Sequence, residues 1–309
     1  PLIRIVLIKS KLNQKKYFIL NIHHIIIDGW GIDLLKEQIV THYYTLVSNL
    51  KQPKNHLPQY SNYIHWQETL IRKNSFNTYF KLLRESLSIE KKPSLLEVCK
   101  NITVTPNTNF LKKTINLDTY KQLKEFCLLE KISLNSVLIC AIVTVFCKRT
   151  NTNYFTTNLV FNGRTNNILQ KTIGFVRNTL FTYFEVESHD FYANIENIDS
   201  QYKFFYQQQD CPLLHTLNYL PIVSEYINSF SIIIQNGSSS HSFEKIESIN
   251  FPIRKINLRN DISIFISIDE IKGIDFVCGF NDKKFKSIDV NEFLCDVTSI
   301  INLPTHKNR

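Results

Sequence analysis

An α+β fold is predicted by three features of this 309-residue sequence. β-branched, strand-like runs are interspersed with helical runs of apolar period three to four. Several strands come as neighbours joined by short polar turns. No regular strand–helix–strand alternation of the kind that builds a doubly wound parallel sheet is present. A hydrophobic content of 43% with 20% charged and 12% aromatic residues is that of a globular chain. The length suits two lobes or one large domain.

The elements follow in order. Residues 2–9 and 16–24 predict two strands of an antiparallel hairpin around the polar turn Ser10–Lys15. After Gly29-Trp30-Gly31, the spacing of Ile32, Leu35, Ile39, Tyr43 and Leu46 predicts a helix with one buried face. A loop with Pro53 and Pro58 leads to a second helical stretch from Tyr60 to Leu87. The polar segment 88–110 is the expected lobe boundary, with a first lobe over 1–105 and a second over 106–309. There, a strand near 111–116 precedes a helix capped by Asp118, and Ser133 opens the strongly apolar helix Leu134–Cys147. Strands are expected at 154–161 and 174–186, helices at 190–208 and 212–220, strands at 229–236, 261–271 and 273–281, and a final helix over 288–302.

Composition narrows the function. Seven cysteines at 99, 127, 140, 147, 211, 278 and 295 are odd in number and contain no C-x-x-C pair, so a reducing, cytoplasmic setting is expected. No apolar run reaches the roughly 18 residues of a membrane span, and no signal sequence is evident. The net charge of +9 is spread along the chain without a basic cluster, which argues against nucleic acid and suits an acidic protein partner.

The chemistry concentrates in His23-His24-Ile25-Ile26-Ile27-Asp28-Gly29-Trp30. If both histidines lie on a strand they face opposite ways, one free to meet substrate and the other packed inward. Asp28 stands at the turn into the helix, where it can cap or pair with a buried cation, and Gly29 allows a tight backbone path. A zinc site would need further ligands at sensible spacing, and none is found, so no metal is expected.

This His-His-x-x-x-Asp-Gly-Trp pattern resembles the His-His motif of condensation domains from non-ribosomal peptide synthetases, within the chloramphenicol-acetyltransferase-like acyltransferases. Further segments match in the family's order. Tyr60-Ser61-Asn62-Tyr63-Ile64-His65-Trp66 is similar to Tyr-x-Asp-Tyr-x-x-Trp, with Asn62 for Asp. Asn162-Gly163-Arg164 and Ile173-Gly174-Phe175-Val176-Arg177-Asn178-Thr179 resemble the Gly-Arg and Ile-Gly-x-Phe-Val-Asn-Thr segments. Gln208-Gln209-Asp210-Cys211-Pro212 resembles His-Gln-Asp-x-Pro. Phe230–Asn236 is a weaker match to the strand that follows.

The family's two upstream motifs are not in this sequence, its late Arg-Asp-x-Ser-Arg motif is not recognisable, and methionine is absent, so the chain is expected to be a fragment with an incomplete first lobe. Heterocyclisation domains carry aspartates in place of the histidines, which His23 and His24 argue against. Epimerisation domains tend to differ after Asp-Gly and at the Asn-Thr segment.

The resemblance implies two lobes in a V around a tunnel, mixed and antiparallel sheets flanked by helices, and amide formation between thioesters on two carrier proteins. Adjacent synthetase domains are expected neighbours. The phosphopantetheine arms belong to those carriers, and no cofactor is bound by this chain. His24 is the residue implied at the reaction centre, supported by His23, Asp28 and Gly29, with Gly29 placing a backbone N–H near the reacting carbonyl. The family's aspartate is structural and held by an arginine. If that arginine lies upstream of Pro1, Asp28 caps its helix or finds another cation. Asn178 is a candidate tunnel residue. Arg164 and Arg177 suit a partner contact or a structural ion pair, and Trp30 and Trp66 suit core aromatics. Two other readings stay open: a free-standing acyltransferase of the same superfamily, and an inactive, truncated domain.

Overall fold

The structure, a computed structural model, describes residues 1–12, 14–51, 57–89, 108–236, 258 and 260–301. It divides into two compact units. The first comprises Pro1–Ser75 and Asn162–Asn178, and the second Phe76–Phe161 and Thr179–Arg309. The boundary expected at 105/106 lies outside the described residues. The first unit thus gains a strap, 162–178, from far along the chain.

In the first unit, strands β1 (Ile3–Lys9) and β2 (Lys16–Ile22) pair antiparallel in register Ile3↔Ile22 to Lys9↔Lys16, and Ser10 N–H closes the turn on the Lys15 carbonyl at 2.9 Å. The strand expected over 16–24 stops at Ile22, because His24–Ile26 winds into a 3-10 turn capped by His23. Helices α1 (Gly29–Val47) and α2 (Tyr60–Arg72) follow. The stretch expected as one helix to Leu87 is broken at residues 73–76, where Asn74 takes a left-handed conformation (φ 54°) that interrupts the ladder. Its second part, α3 (Asn77–Ile89), belongs to the other unit. Tyr63 of α2 packs with Leu169 and Val176 of the strap, flanked by Tyr60, Ile64 and Trp66.

The buried face expected of α1 is formed only in part, with Ile32, Leu35 and Ile39 partly buried. Only Gly31 and Val40 are fully buried, and Tyr43 and Leu46, toward the C-terminal end of the stripe, are exposed. All of β1 is exposed too, with Ile5 and Leu7 open to solvent on one face and Val6 and Ile8 on the other. A two-stranded ribbon with bare apolar faces and edges is a template for association. This chain, made alone, is therefore expected to self-associate at micromolar concentration. Sedimentation velocity checks it, and a monodisperse monomer that unfolds cooperatively would contradict it.

The second unit is built on a six-stranded mixed sheet in the order β3-β8-β7-β6-β4-β5. Its strands are β3 (Thr108–Ile115), β4 (Tyr154–Phe161), β5 (Asn178–Glu185), β6 (Phe230–Asn236), β7 (Ile262–Asp269) and β8 (Gly273–Asn281). β8 pairs antiparallel with β3 and β7, whereas β6 is parallel to both β4 and β7. Its helices are α3, α4 (Leu117–Glu130), α5 (Leu134–Thr150), α7 (Phe191–Gln207), α8 (Leu213–Tyr219) and α9 (Ser287–Ile301), while the single turn α6 (Asn167–Gln170) belongs to the strap of the first unit. α5 is apolar all round and is buried continuously from Ser136 to Cys147, against α7, α9 and β4. No single helix among the described residues is long and apolar enough to cross a membrane.

Two local expectations shift. Asn116, not Asp118, caps α4 by accepting Thr119 N–H at 2.9 Å, and Asp118 sits in the first turn. The strand expected from 174 begins only at Asn178, since the backbone of 174–177 is engaged elsewhere.

Candidate active site

The site is built where the hairpin turns into α1. Leaving β2, the chain reaches His23, whose Nδ1 accepts Ile25 N–H at 3.1 Å and caps the 3-10 turn. His24 Nδ1 lies 2.7 Å from the Ile27 carbonyl oxygen. A carbonyl can only accept and an amide N–H can only donate, so these contacts assign the neutral tautomers. His23 carries its proton on Nε2. His24 carries its proton on Nδ1 and keeps the lone pair of Nε2 free. His24 can take a proton on Nε2 and retain its hydrogen bond, whereas protonating His23 Nδ1 breaks the cap.

Both imidazoles are exposed. The expected opposition of an outward and an inward histidine does not arise, because neither residue is on a strand. What distinguishes them is which ring nitrogen the backbone occupies. The ring of Phe175 meets His24 edge-on, centroids 5.4 Å apart at 64°.

Asp28 is buried and densely hydrogen-bonded. Its Oδ1 caps α1 through Gly31 N–H at 2.7 Å. Its Oδ2 accepts Val176 N–H and Arg177 N–H, each at 2.9 Å. Arg164 Nη2 reaches both oxygens at 2.9 and 3.1 Å, with the two side chains 1% and 2% exposed. The guanidinium is satisfied further by the Leu169 and Thr172 carbonyls. The cation that Asp28 needs thus comes from the strap, 136 residues downstream. A buried pair of this kind is tolerated because both carboxylate oxygens and both terminal guanidinium nitrogens are hydrogen-bonded, with Arg164 Nε left buried and unbonded.

The strap needs two glycines to make this approach. Gly163 has φ +66° and a Cβ there would lie 2.3 Å from the Val176 carbonyl oxygen. At Gly174 a Cβ would meet the Tyr60 ring at 2.3 Å. The tight glycine on the motif side is Gly31, where a Cβ would sit 2.8–2.9 Å from Ile27 and the Gly174 carbonyl. Gly29 has open space around it, which corrects the expectation that the constrained backbone lies there.

The other candidates are placed as follows. Trp30 is not a core aromatic: it is half-exposed, donates Nε1–H to the Gln170 carbonyl at 2.9 Å, and lies over the Arg164 guanidinium at 5.9 Å. Trp66 is partly buried against Tyr63. Asn178 is the half-buried first residue of β5. Arg177 is half-buried beside the site, and burial lowers the pKa of its guanidinium while the Asp28 charge opposes that shift. Tyr60, Gly31 and the amides of Val176 and Arg177 were not among the sequence candidates. Only the Tyr-x-Asp-Tyr and Gly-x-Phe matches pointed near them. Among the described residues no group of three or more His, Cys, Asp or Glu could hold a metal ion.

The Gln-Gln-Asp segment lies in the second unit, between α7 and α8, with Gln209, Asp210 and Cys211 buried. Burial pushes the Asp210 carboxyl up to about 6 and the Cys211 thiol up to about 12. A carboxyl whose folded pKa is raised contributes stability below its unfolded value of 3.8, and this is lost as pH rises through about 6. Asp210→Asn is therefore expected to match the parent near pH 4 and to exceed its stability by at most about 3 kcal/mol above pH 7. Urea unfolding as a function of pH measures this, and a gain independent of pH would contradict it.

The fold is of the chloramphenicol-acetyltransferase-like class, α+β with a mixed sheet. It resembles the solved epimerization domain from the third module of tyrocidine synthetase B (TM-score 0.73, 14% identity, 97% of this chain and 71% of that one). It also resembles the PapA2 acyl transferase (TM-score 0.76, 14% identity, 96% and 67%). The family model described as "Condensation domain" matches residues 1–304, and the chain belongs to that family. In sequence it is 24% identical over 196 residues to cyclosporin synthetase simA of Tolypocladium inflatum, an alignment that takes in 62% of this chain and 1% of the synthetase. Condensation domains are in general acyltransferases, and in peptide synthetases they act with carrier protein domains.

Proposed function

We propose that this chain joins a donor acyl or peptidyl thioester to an acceptor aminoacyl thioester, both held on carrier proteins, in the cytoplasm and beside other synthetase domains. The amine nitrogen attacks the donor carbonyl, a C–N bond forms, and the ammonium of the tetrahedral intermediate gives its proton to His24 Nε2. The C–S bond then breaks and the proton goes to the departing phosphopantetheine thiolate, leaving amide and free thiol. The observation that carries this reading is the tautomer of His24: the Ile27 carbonyl holds its Nδ1–H, so the basic nitrogen is the unengaged Nε2. An α-amino group has a reference pKa of about 7.7–8.0 and the neighbouring thioester lowers it, so the amine needs little help before attack. His24 therefore serves mainly to orient the amine and to take its proton as the bond forms. Asp28, with Arg164, holds the turn and touches no substrate in this scheme. Gly29, Asn178 and Trp30 are proposed as lining or support.

The test is single-turnover condensation with two carrier proteins, donor and acceptor, each loaded with a panel of aminoacyl phosphopantetheine thioesters, the donors N-acetylated. Amide product with release of donor thiol is expected for at least one pairing. The exposed apolar face of the first unit favours a second reading, an inactive condensation-like domain, and absence of amide from every pairing, in a chain shown to be folded, would establish it over the first.

A further inference from the structure

We infer that Tyr60 is a positioning residue for the chemistry assigned to His24, acting through the peptide group that joins Phe175 to Val176. The inference rests on the reading of His24 given above. A trans peptide is planar, and its C=O and N–H point in opposite directions. Here the two ends of one such group are both engaged. Tyr60 Oη donates to the Phe175 carbonyl at 2.9 Å, and Val176 N–H donates to Asp28 Oδ2 at 2.9 Å. The hydrogen bonds therefore run head to tail from phenol to peptide to carboxylate. A donor on the carbonyl oxygen withdraws charge from the amide and strengthens its N–H, so each bond reinforces the next.

The ring itself also acts. It occupies the space beside Gly174 that a Cβ would fill, its nearest carbon only 2.3 Å from that position. It is braced in turn by Tyr63, with ring centroids 5.6 Å apart at 37°. Burial, and then the Asp28 charge, raise the phenol pKa, so Tyr60 remains a donor throughout the working range of pH.

From the loop that Tyr60 fixes, two routes lead to His24. One is direct, through the edge-on ring of Phe175. The other passes through the Asp28 turn: Asp28 N–H donates to the Gly174 carbonyl at 3.2 Å, and the preceding residue, Ile27, supplies the carbonyl that holds His24 Nδ1–H. Releasing the 175–176 peptide would let it rotate, and a carbonyl turned toward the buried carboxylate would repel it. The turn carrying His24 would then lose its fixed geometry while the fold persisted.

Tyr60→Phe separates the hydroxyl from the ring. Its unfolding midpoint should stay close to that of the parent, because the aromatic packing is kept. In the carrier-thioester assay, kcat should fall about tenfold, the size expected for one hydrogen bond, with KM within about twofold. In protein labelled with 15N-histidine, the His24 Nδ1–H resonance should shift and exchange faster with water. Tyr60→Ala should add a loss of stability that Tyr60→Phe does not show. A parental kcat in Tyr60→Phe would overturn the inference. If the parent itself makes no amide, the functional reading is what fails. The imidazole spectra then decide Tyr60 alone, and an unchanged His24 resonance in Tyr60→Phe would overturn it.

Discussion

Arg164→Met is expected to destabilise the chain by about 3–5 kcal/mol, the usual cost of removing one partner from a buried ion pair. The methionine replaces the stem of the arginine, so packing is largely kept and the loss reports the charge. What remains is a carboxylate 2% exposed, held only by the amides of Gly31, Val176 and Arg177. Three amides carry only partial charge and do not replace the bidentate cation. Asp28→Asn should be similarly costly, because it strands the guanidinium. The double variant should cost less than the two single losses added together, since neither charge is then left alone. Urea unfolding of the four proteins at pH 7 measures all of this. A loss under about 1 kcal/mol for Arg164→Met, or strict additivity, would mean that the strap is held by something other than this pair.

His24→Ala should lower the rate of amide formation by at least tenfold. Positioned general bases are typically worth 10²–10⁴, and the loss here is expected toward or just below the lower end of that range, about 10–100-fold. The reason is that the acceptor amine is largely neutral before attack, so His24 contributes orientation and late proton acceptance rather than a full deprotonation. His23→Ala should behave differently. It removes the cap on Ile25 N–H, costs about 1 kcal/mol in stability, and leaves the rate within a few-fold of the parent. Pre-steady-state quench experiments on both variants separate the roles. Equal rates for the parent and His24→Ala would remove His24 from the chemistry, and a larger loss for His23→Ala would reverse the assignment of the two nitrogens.

Much of the second unit was legible because its signals are local. The uninterrupted apolar run of α5 could only be a buried helix, and its cap, Ser133, is adjacent in sequence. In the first unit, the hairpin of β1 and β2 is likewise legible from the polar turn between two β-branched runs. The rest of the first unit is less legible. The period of Ile32, Leu35, Ile39, Tyr43 and Leu46 correctly marks a helix, but periodicity says which face is apolar and not whether anything covers it. Breaking the 60–87 stretch depended on a single asparagine adopting the left-handed conformation, which composition does not announce.

The residue types of the site, an adjacent histidine pair followed by a capping aspartate and a glycine, were determined by the sequence alone, as were the mixed α+β class and the family resemblance. Tertiary structure decided how those residues work together. It ended β2 before the histidines, so that backbone partners rather than strand alternation distinguish His24 from His23. It also brought Arg164, Gly174 and the amides of Val176 and Arg177 onto Asp28 from more than 130 residues away. The physical reason is that caps, turns and periodicities act over a few residues and leave a local imprint on sequence. A buried carboxylate must instead be neutralised by whatever the fold returns to it, and that partner leaves no trace in its neighbours along the chain.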